Sequence, residues 1–441
     1  MTQLNIENQR GYTILSAILS TDRTGQSVDI APSILDFDIY EHLDKPYLTA
    51  DFVFNDNYGL VDLFDIQGVE SLTLTLESLT KDIISKNFRI VNISKSTKGN
   101  DRSELIFVET VEEHAFISNS LNVCKAYTGT PGDIIAKISK EFLNKETTVI
   151  DQSYQGNMKV IVPNKNPIES MKWMQQRSTN QDGMPYYVYS TLLDDTLIFD
   201  HLGNILSANP INTDKPYVYS QAPTADNGYF TIDSYKYENA QNTFTMIKKG
   251  YVGAEYRFLN LSNAFEQKTQ LNAETDIFNM IKDNNYLPLN QNNPNYPYDS
   301  KVKQKPLGQQ QSKVITSINA ANTFAGYGDF KTYAEEADET GYKKNIIGKA
   351  LKYHLAKSPL SINIAGAPFL MGGKNLTIGN IIRIKFFDSK IAVEKNGNEV
   401  GIDTQKSGDY IIYAAKHAFK VEKYDLSLLC LKISNLTGET L

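Results

Sequence analysis

The chain has 441 residues, 41% of them hydrophobic and 22% charged, with a formal net charge of -7. That length exceeds what one hydrophobic core organises, so roughly two to four domains are expected. The mild negative balance excludes a dedicated nucleic-acid binder, which would carry a basic domain, and no apolar run approaches the roughly 20 residues of a helical membrane span.

The opening MTQLNIENQRGY has neither a basic nor an apolar signal segment, so folding in a cytoplasm is expected. Tyr12, Ile14, Leu15 and Ile18, followed by the polar run from Ser20 to Ser27, read as an arm reaching a neighbour or as a local edge strand. Phe37 and Ile39 then alternate with Asp38 and Tyr40, and Leu72, Leu74 and Leu76 with Thr73 and Thr75. A period of two is how a strand keeps one face dry. Asn55 to Gly59 supplies a turn between these strands, and Gly68 a reversal before the later one. Two more strands follow, at 88–94 and 104–110. Glu112, Glu113 and His114 form the densest ionisable trio. They admit a hydrolytic site, but a solvated domain edge is the expected reading.

From Thr128 the pattern turns helical. Thr130, Pro131, Gly132 and Asp133 start one helix, with Ile134, Ile135, Ile138 and Phe142 on a single face. A second begins at Asn166, where Pro167 and Glu169 suggest a capping box, and Met171, Trp173 and Met174 read as core. MPYYVYSTLLDDTLIFDHL is a hairpin turning at Asp194 and Asp195, whose carboxylates are expected in water. Residues 229–260 show two alternating runs, read as strands. The stretch 284–312, rich in Asn, Gln and Pro, is a long loop. A helix from Tyr342 to Lys357 has an apolar stripe of Ile346, Ile347, Ala350, Leu351 and Leu355, with Lys343, Lys344, Lys349 and Lys352 on a solvated face. Then LTIGNIIRIKFF (376–387) enters a strand through Gly379, as the earlier strand enters through Gly68. A polar loop at 393–408 follows, and then strands at 410–416 and 425–434. The same β-unit is written twice.

No phosphate loop, GxGxxG, HExxH or GxSxG is present. The histidines at 42, 114, 201, 354 and 417 stand singly, the Glu335–Glu339 run reads as solvated, and Cys124 and Cys430 share no metal spacing and read as free thiols. No catalytic, cofactor-binding or metal residue is assigned, and a non-enzyme is expected. The 26 Tyr and 20 Phe against one Trp suit half-buried strands and interfaces.

IQGVESLTLTL with FRIVNISKSTKGNDRSELIFVET, and SPLSINIAGAPFLMGGKNLTIGNIIRIKFF with GDYIIYAAKHAFKVEKYDLSLLCLKIS, resemble the two tube-like domains of the central baseplate hub proteins of contractile-tailed bacteriophages, relatives of the N-terminal part of type VI secretion spike proteins. The helix, helix, hairpin block between them resembles that family's lateral domain. The resemblance implies an α+β, β-rich fold with two similar tail-tube-like β-barrel or sandwich domains, a helix-plus-hairpin domain between them and an inserted domain. The expected spans are 1–118, with an N-terminal arm over about 1–30; 119–213; 214–260 with 358–441; and the insert, 261–357.

The resemblance further implies a homotrimer of the virion baseplate, assembled in the host cytoplasm, that adapts a sixfold tail tube to a threefold spike and leaves a channel for DNA and the tape-measure protein. Its implied partners are a trimeric spike protein with an OB-fold domain and in relatives a lysozyme, the tail tube or a tube initiator, and surrounding baseplate proteins. DNA is in passage only, and no membrane insertion is implied. Needle and lytic functions are expected on other chains. Strand positions Leu72, Thr73, Leu74, Thr75, Ile382, Arg383, Ile384 and Lys385 are the interface candidates. A peripheral receptor- or carbohydrate-binding β protein is the alternative, and a cell-wall hydrolase a further one.

Overall fold

The computed structural model describes residues 11–435 except 58, 101–102, 152–156, 220–229, 238–242, 261–264, 279–300, 303, 310–313, 320–338, 358, 388–401, 404–405 and 422. Residues 1–10, most of the Asn-rich loop, most of the Glu335–Glu339 run and most of the 393–408 loop therefore lie outside the described residues.

The first unit contains β1 (Tyr12–Thr21), β2 (Gln26–Asp29), β3 (Ile34–His42), β4 (Thr49–Asp56), α1 (Leu60–Leu63), β5 (Ser71–Ser78), β6 (Ile83–Asn100), β7 (Ser103–Glu112) and α2 (Glu113–Ser118). The alternation seen in the sequence is the reason: Leu72, Leu74 and Leu76 are buried while Thr73 and Thr75 stand between them on the other face. β1 is a strand of this sheet, with β5 on one side and the short β2 on the other.

The lateral block carries β8 (Ala126–Gly129), α3 (Pro131–Leu143), β9 (Thr147–Val149), β10 (Met158–Ile161), α4 (Pro167–Gln175), β11 (Tyr186–Tyr189), β12 (Leu197–His201) and α5 (Leu202–Ser207). The reciprocal capping box forms at Thr130 and Asp133, whereas at Asn166 the side chain accepts from Glu169 N in one direction. Met171 and Met174 are fully buried, and the Arg177 guanidinium lies 4.0 Å from the Trp173 ring centre.

The chain continues through β13 (Tyr217–Tyr219), β14 (Thr231–Tyr237), α6 (Thr243–Lys249), β15 (Gly253–Asn260), β16 (Phe265–Asn272), β17 (Lys301–Val302), β18 (Lys305–Pro306), β19 (Val314–Asn319) and α7 (Glu339–Leu355). It ends its described part with β20 (Leu360–Ala365), β21 (Ile381–Lys385), β22 (Gly408–Lys420) and β23 (Tyr424–Asn435). Only the first of the two strands read over 229–260 belongs to the barrel. Thr243–Lys249 is a helix that buries Met246, and Gly250, at φ +78, ends it before β15 joins a separate sheet with β16 and β19.

The main sheet has 13 strands in the order β2-β1-β5-β6-β7-β4-β3-β22-β21-β13-β14-β20-β23, and β23 returns to pair with β22. That return closes a six-stranded barrel of β22, β21, β13, β14, β20 and β23. The fold is thus α+β and β-rich, with two tube-like units. Going round the first unit from its first strand gives β1-β5-β6-β7-β4-β3; going round the barrel from its first strand gives β13-β21-β22-β23-β20-β14. In both, the strands come first, fourth, fifth, sixth, third and second in chain order. The repeat is therefore topological, and it matches β5 with β21, β6 with β22 and β7 with β23. One direction differs: β1 runs antiparallel to β5, but β13 runs parallel to β21.

Closure also differs. The barrel closes by a ladder between β13 and β14. Among the described residues no ladder joins β1 to β3; Tyr12, at the start of β1, instead donates its hydroxyl to the Lys420 carbonyl of β22 at 2.8 Å, its ring 4.9 Å from Phe419 and 6.2 Å from Phe37 of β3. Gly366 permits the neighbouring approach, because a Cβ there would sit 2.5 Å from the Tyr424 ring, itself stacked 4.4 Å from Phe419. Gly366→Ala should therefore cost about 2–3 kcal/mol by overpacking, read as a lower urea midpoint. Gly25→Ala, with open space around it, should cost about 1 kcal/mol through backbone conformation alone; equal losses at the two sites would refute the packing argument.

Candidate functional site

The eight interface candidates divide by face. Leu72, Leu74, Ile382 and Ile384 are each 2% exposed or less and belong to the cores. Thr73, Thr75, Arg383 and Lys385 lie between them, partly exposed, and these alone have surface to offer. Arg383 is already engaged: its guanidinium bonds Asp409 at 2.8 and 3.1 Å, and its backbone exchanges two bonds with the Asn212 amide.

The ionisable trio is not a solvated edge. Glu112 is 2% and His114 3% exposed. Glu112 ends β7 where the lateral block begins, and the two are locked there. Its Oε2 accepts from Leu48 N at 3.0 Å and from the Ser190 hydroxyl at 3.4 Å, and its Oε1 lies 3.4 Å from Lys145 Nζ and 3.5 Å from His114 Nδ1. His114 Nε2 donates to the Pro46 carbonyl at 2.7 Å. Burial alone would raise the Glu112 carboxyl; the His114 ring and the ammonium groups of Lys86 and Lys145 outweigh it and bring it down to about 2. Glu113 faces outward and binds Arg89 at 2.7 Å. Asp194 and Asp195 are held too: Lys86 donates to the Asp194 carbonyl at 2.7 Å, and Lys145 bonds the Asp195 carboxylate. Glu112, His114 and the turn aspartates are one charged joint between the first unit and the lateral block, invisible in sequence because its lysines come from β6 and from the loop after α3.

A second joint lies between the two β-units. β22 pairs with β21 over Gly408–Ile411 and with β3 over Ala414–Lys420, so the sheet of one unit runs into the other. Glu41, on β3, is 1% exposed, as is His417 on β22. His417 Nε2 donates to Glu41 Oε2 at 3.0 Å, and its Nδ1 lies 2.6 Å from the Tyr424 hydroxyl. The other Glu41 oxygen accepts from Leu192 N of the lateral block. Burial would raise the Glu41 carboxyl, but the His417 ring, the Thr377 hydroxyl and the Leu192 amide hold it below its ordinary value. A carboxylate, an imidazole and a hydroxyl in line resemble a nucleophilic triad, yet the Tyr424 hydroxyl is walled in, with its residue 2% exposed. The chemistry here is cohesion.

Asp44 makes a third tie. It accepts from the Gln175 amide at 2.8 Å and lies 3.5 Å from Lys352 Nζ, which donates to the Tyr186 carbonyl at 3.1 Å and sits 3.9 Å from the Tyr187 ring centre. Lys352 is therefore not on a solvated helix face. It turns inward and binds α7 to the lateral block, its ammonium disfavoured by burial and partly restored by Asp44. The side chain of Lys343 lies outside the described residues.

Over the joint of the two units lies a groove of about 450 Å³, walled by Tyr40, Tyr47 and Asp51 on one side and Ser361, Lys416 and Ser427 on the other. Its polar groups are tied to one another: Tyr40 donates to Asp51 at 2.9 Å, Lys416 binds Asp38 at 2.7 Å, and Ser427 donates to Asn363 at 2.6 Å. Among the described residues no group of three or more His, Cys, Asp or Glu could hold a metal, and no helix is long and apolar enough to cross a membrane. Cys124 is exposed and Cys430 buried, and both are free thiols.

No family model and no curated protein matches this chain. Solved structures do. The tail protein from Neisseria meningitidis MC58 superposes with a TM-score of 0.51 at 13% identity, covering 97% of this chain and 97% of that one. The 43 kDa tail protein of prophage MuSo2 from Shewanella oneidensis does so with a TM-score of 0.50 at 8% identity, over 95% and 98%. The likeness is one of fold and runs end to end: this chain has the fold of those tail proteins.

Two outcomes follow from the joints. The Glu112 carboxyl lies at about 2 in the fold against an ordinary 4.5, so its stabilisation is complete above pH 4.5 and is lost as the pH falls toward 2, about 3 kcal/mol in all. Urea midpoints of the wild type should fall through that window, and those of Glu112→Gln, lower at neutral pH, should fall less; parallel curves would refute the assignment. At the second joint, His417→Ala leaves a buried carboxylate unpaired and should cost about 3–5 kcal/mol. The double variant with Glu41→Gln should lose clearly less than the sum of the two single losses, and additive losses would count against a coupled pair.

Proposed function

We propose that this chain is a structural component of a phage tail, the central hub of its baseplate, and that three copies close into a ring of six similar β-units. One observation carries the reading: the same strand order occurs twice in one chain, and both copies share one sheet. Three chains so built present six near-equivalent units to a sixfold tube on one face and three chains to a threefold spike on the other. A duplicated unit thus resolves a mismatch of symmetry within one polypeptide. End-to-end likeness of fold to two tail proteins supports the same reading.

On this reading the chain acts by shape and without catalysis, since its densest ionisable clusters are occupied in holding units together. Its partners are a trimeric spike with an OB-fold domain, a tube or tube-initiator protein and neighbouring baseplate proteins. The lumen passes DNA and the tape-measure protein, and a net charge of -7 suits a wall that does not hold phosphates. The site of action is the virion, after assembly in the host cytoplasm.

Native mass across a concentration range, with and without a candidate spike protein, tests this. A trimer that binds one spike trimer is expected. A chain that stays monomeric at every concentration and ignores the spike would overturn the hub.

A further inference from the structure

Where the chain enters β21, the barrel wall has a seat that the rest of the chain fills. A side chain at Gly379 would meet the Tyr189 hydroxyl at 3.2 Å and Leu43 Cδ1 at 3.6 Å. Tyr189, from the lateral block, is 5% exposed, and Leu43, which follows β3, is 0% exposed. Beside them the Tyr413 carbonyl accepts from Leu43 N at 2.9 Å, and the Tyr413 ring lies 4.7 Å from that of His42.

The first unit has the same seat. β5 starts at Ser71 opposite Arg89, as β21 starts at Ile381 opposite Ile411. One further bond precedes each ladder, from Ile90 N to the Glu70 carbonyl and from Ile412 N to the Asn380 carbonyl, both at 2.9 Å. Val69 therefore stands where Gly379 stands in the barrel. The bulges complete the match. β6 breaks register against β7 between Ile90 and Asn92, and β22 against β23 between Ile412 and Ala414, so Val91 is the counterpart of Tyr413. Here the seat is bare: Val69 is 47% and Val91 45% exposed. Ile117 of α2, 38% exposed, extends it across a pocket of about 270 Å³ that Val69, Phe116 and Ile117 share with Arg23 and Arg89.

Within the chain this seat takes the segment after β3. By place in the strand order the counterpart of β3 is β14, and the first described element after β14 is α6. The helix is anchored by Met246, 0% exposed, and holds Phe244 outward at 65%, the most exposed aromatic ring among the described residues. Charge matches as well. Around the pocket two guanidiniums face four carboxylates, Arg23 with Asp65 and Glu70 and Arg89 with Asp22 and Glu113. Thr243–Lys249 carries no acidic residue and ends in Lys248 and Lys249.

We infer that α6 of one copy seats on the first unit of another, with the Phe244 ring against Val69, Val91 and Ile117. The partner is a second copy of this chain, and the contact repeats between chains what Leu43 does within one. It is heterologous, head to tail, so it generates a closed ring or a filament. Closure at three copies rests on the hub reading above; the contact itself does not.

The test uses the full chain in a Cys124→Ser background. Oxidation of a variant with Phe244→Cys and either Val69→Cys or Val91→Cys should give chain-to-chain disulfides up to a trimer, and each single variant none. Phe244→Cys with Lys159→Cys on the lateral block should also give none. Phe244→Ser, and separately Val91→Lys, should weaken association at least about tenfold, or about 1.4 kcal/mol, with little change in the unfolding midpoint of the isolated chain. A wild-type trimer indifferent to both substitutions, with no disulfide from either pair, would overturn this contact and leave the hub standing. Weakening by Val91→Lys but not by Phe244→Ser would seat another segment on the patch and overturn α6 as its occupant. A wild type that stays monomeric at every concentration would overturn both readings.

Discussion

A β-strand has two edges, and in this molecule β22 spends one of them twice. Its whole length pairs with β23 on one side, while on the other its first part receives β21 and its second part receives β3. The bulge between Ile412 and Ala414 is what allows the change of partner. The merging of the two sheets and the Tyr12 plug over Phe419 depend on the second part of β22. If β22 ended at Ile411, the barrel would still close, but the first unit would have an uncovered β3 and nothing to hold Tyr12.

Buried ions add to the ladder in holding the units in register. Glu41, Glu112 and Asp44 come from β3, β7 and the loop after β3, and each reaches out of the first unit to a partner in another. Apolar contacts would bury area at these places with little demand on orientation. A buried carboxylate is satisfied only in one arrangement, because leaving it unpaired is far more costly than the pair is favourable. Glu41 and Glu112 are two such groups and fix the first unit against the barrel and the lateral block, while Asp44, partly exposed, adds a tie to α7.

Much of the architecture was legible in the sequence, and the reason is local. Period-two alternation marked β3, β5 and β21, and Gly68 and Gly379, at φ +92 and +80, marked the reversals leading into β5 and β21. These were enough to read the duplicated unit, and the strand order repeats it. What stayed hidden depends on residues far apart. His417 and Glu41 are separated by 376 positions, and nothing near either announces the other. Glu112 and His114 looked like a wet edge because the lysines that enclose them come from β6 and the loop after α3. Lys352 looked solvated because a helical wheel does not show the Tyr187 ring that receives it. The helix α6 was missed for a different reason: a short stretch with alternating apolar residues fits either period, and the buried Met246 alone does not decide between them. Of the eight interface candidates, the alternating pattern could say that two faces existed but not which was turned to the core.

The internal ladder between β3 and β22 also has a consequence in time. As the chain leaves the ribosome, β3 emerges early and its partner strand only after more than three hundred further residues, so the nascent first unit carries an open edge for most of its synthesis. Incomplete chains keep that edge for good. A protein broken off before Ala414 would lack the strand that covers β3 and the stack that seats Tyr12, and an open edge of that kind invites aggregation. The late strand therefore acts as a seal: only a chain translated through the β22–β23 hairpin has the β3 edge covered at the joint.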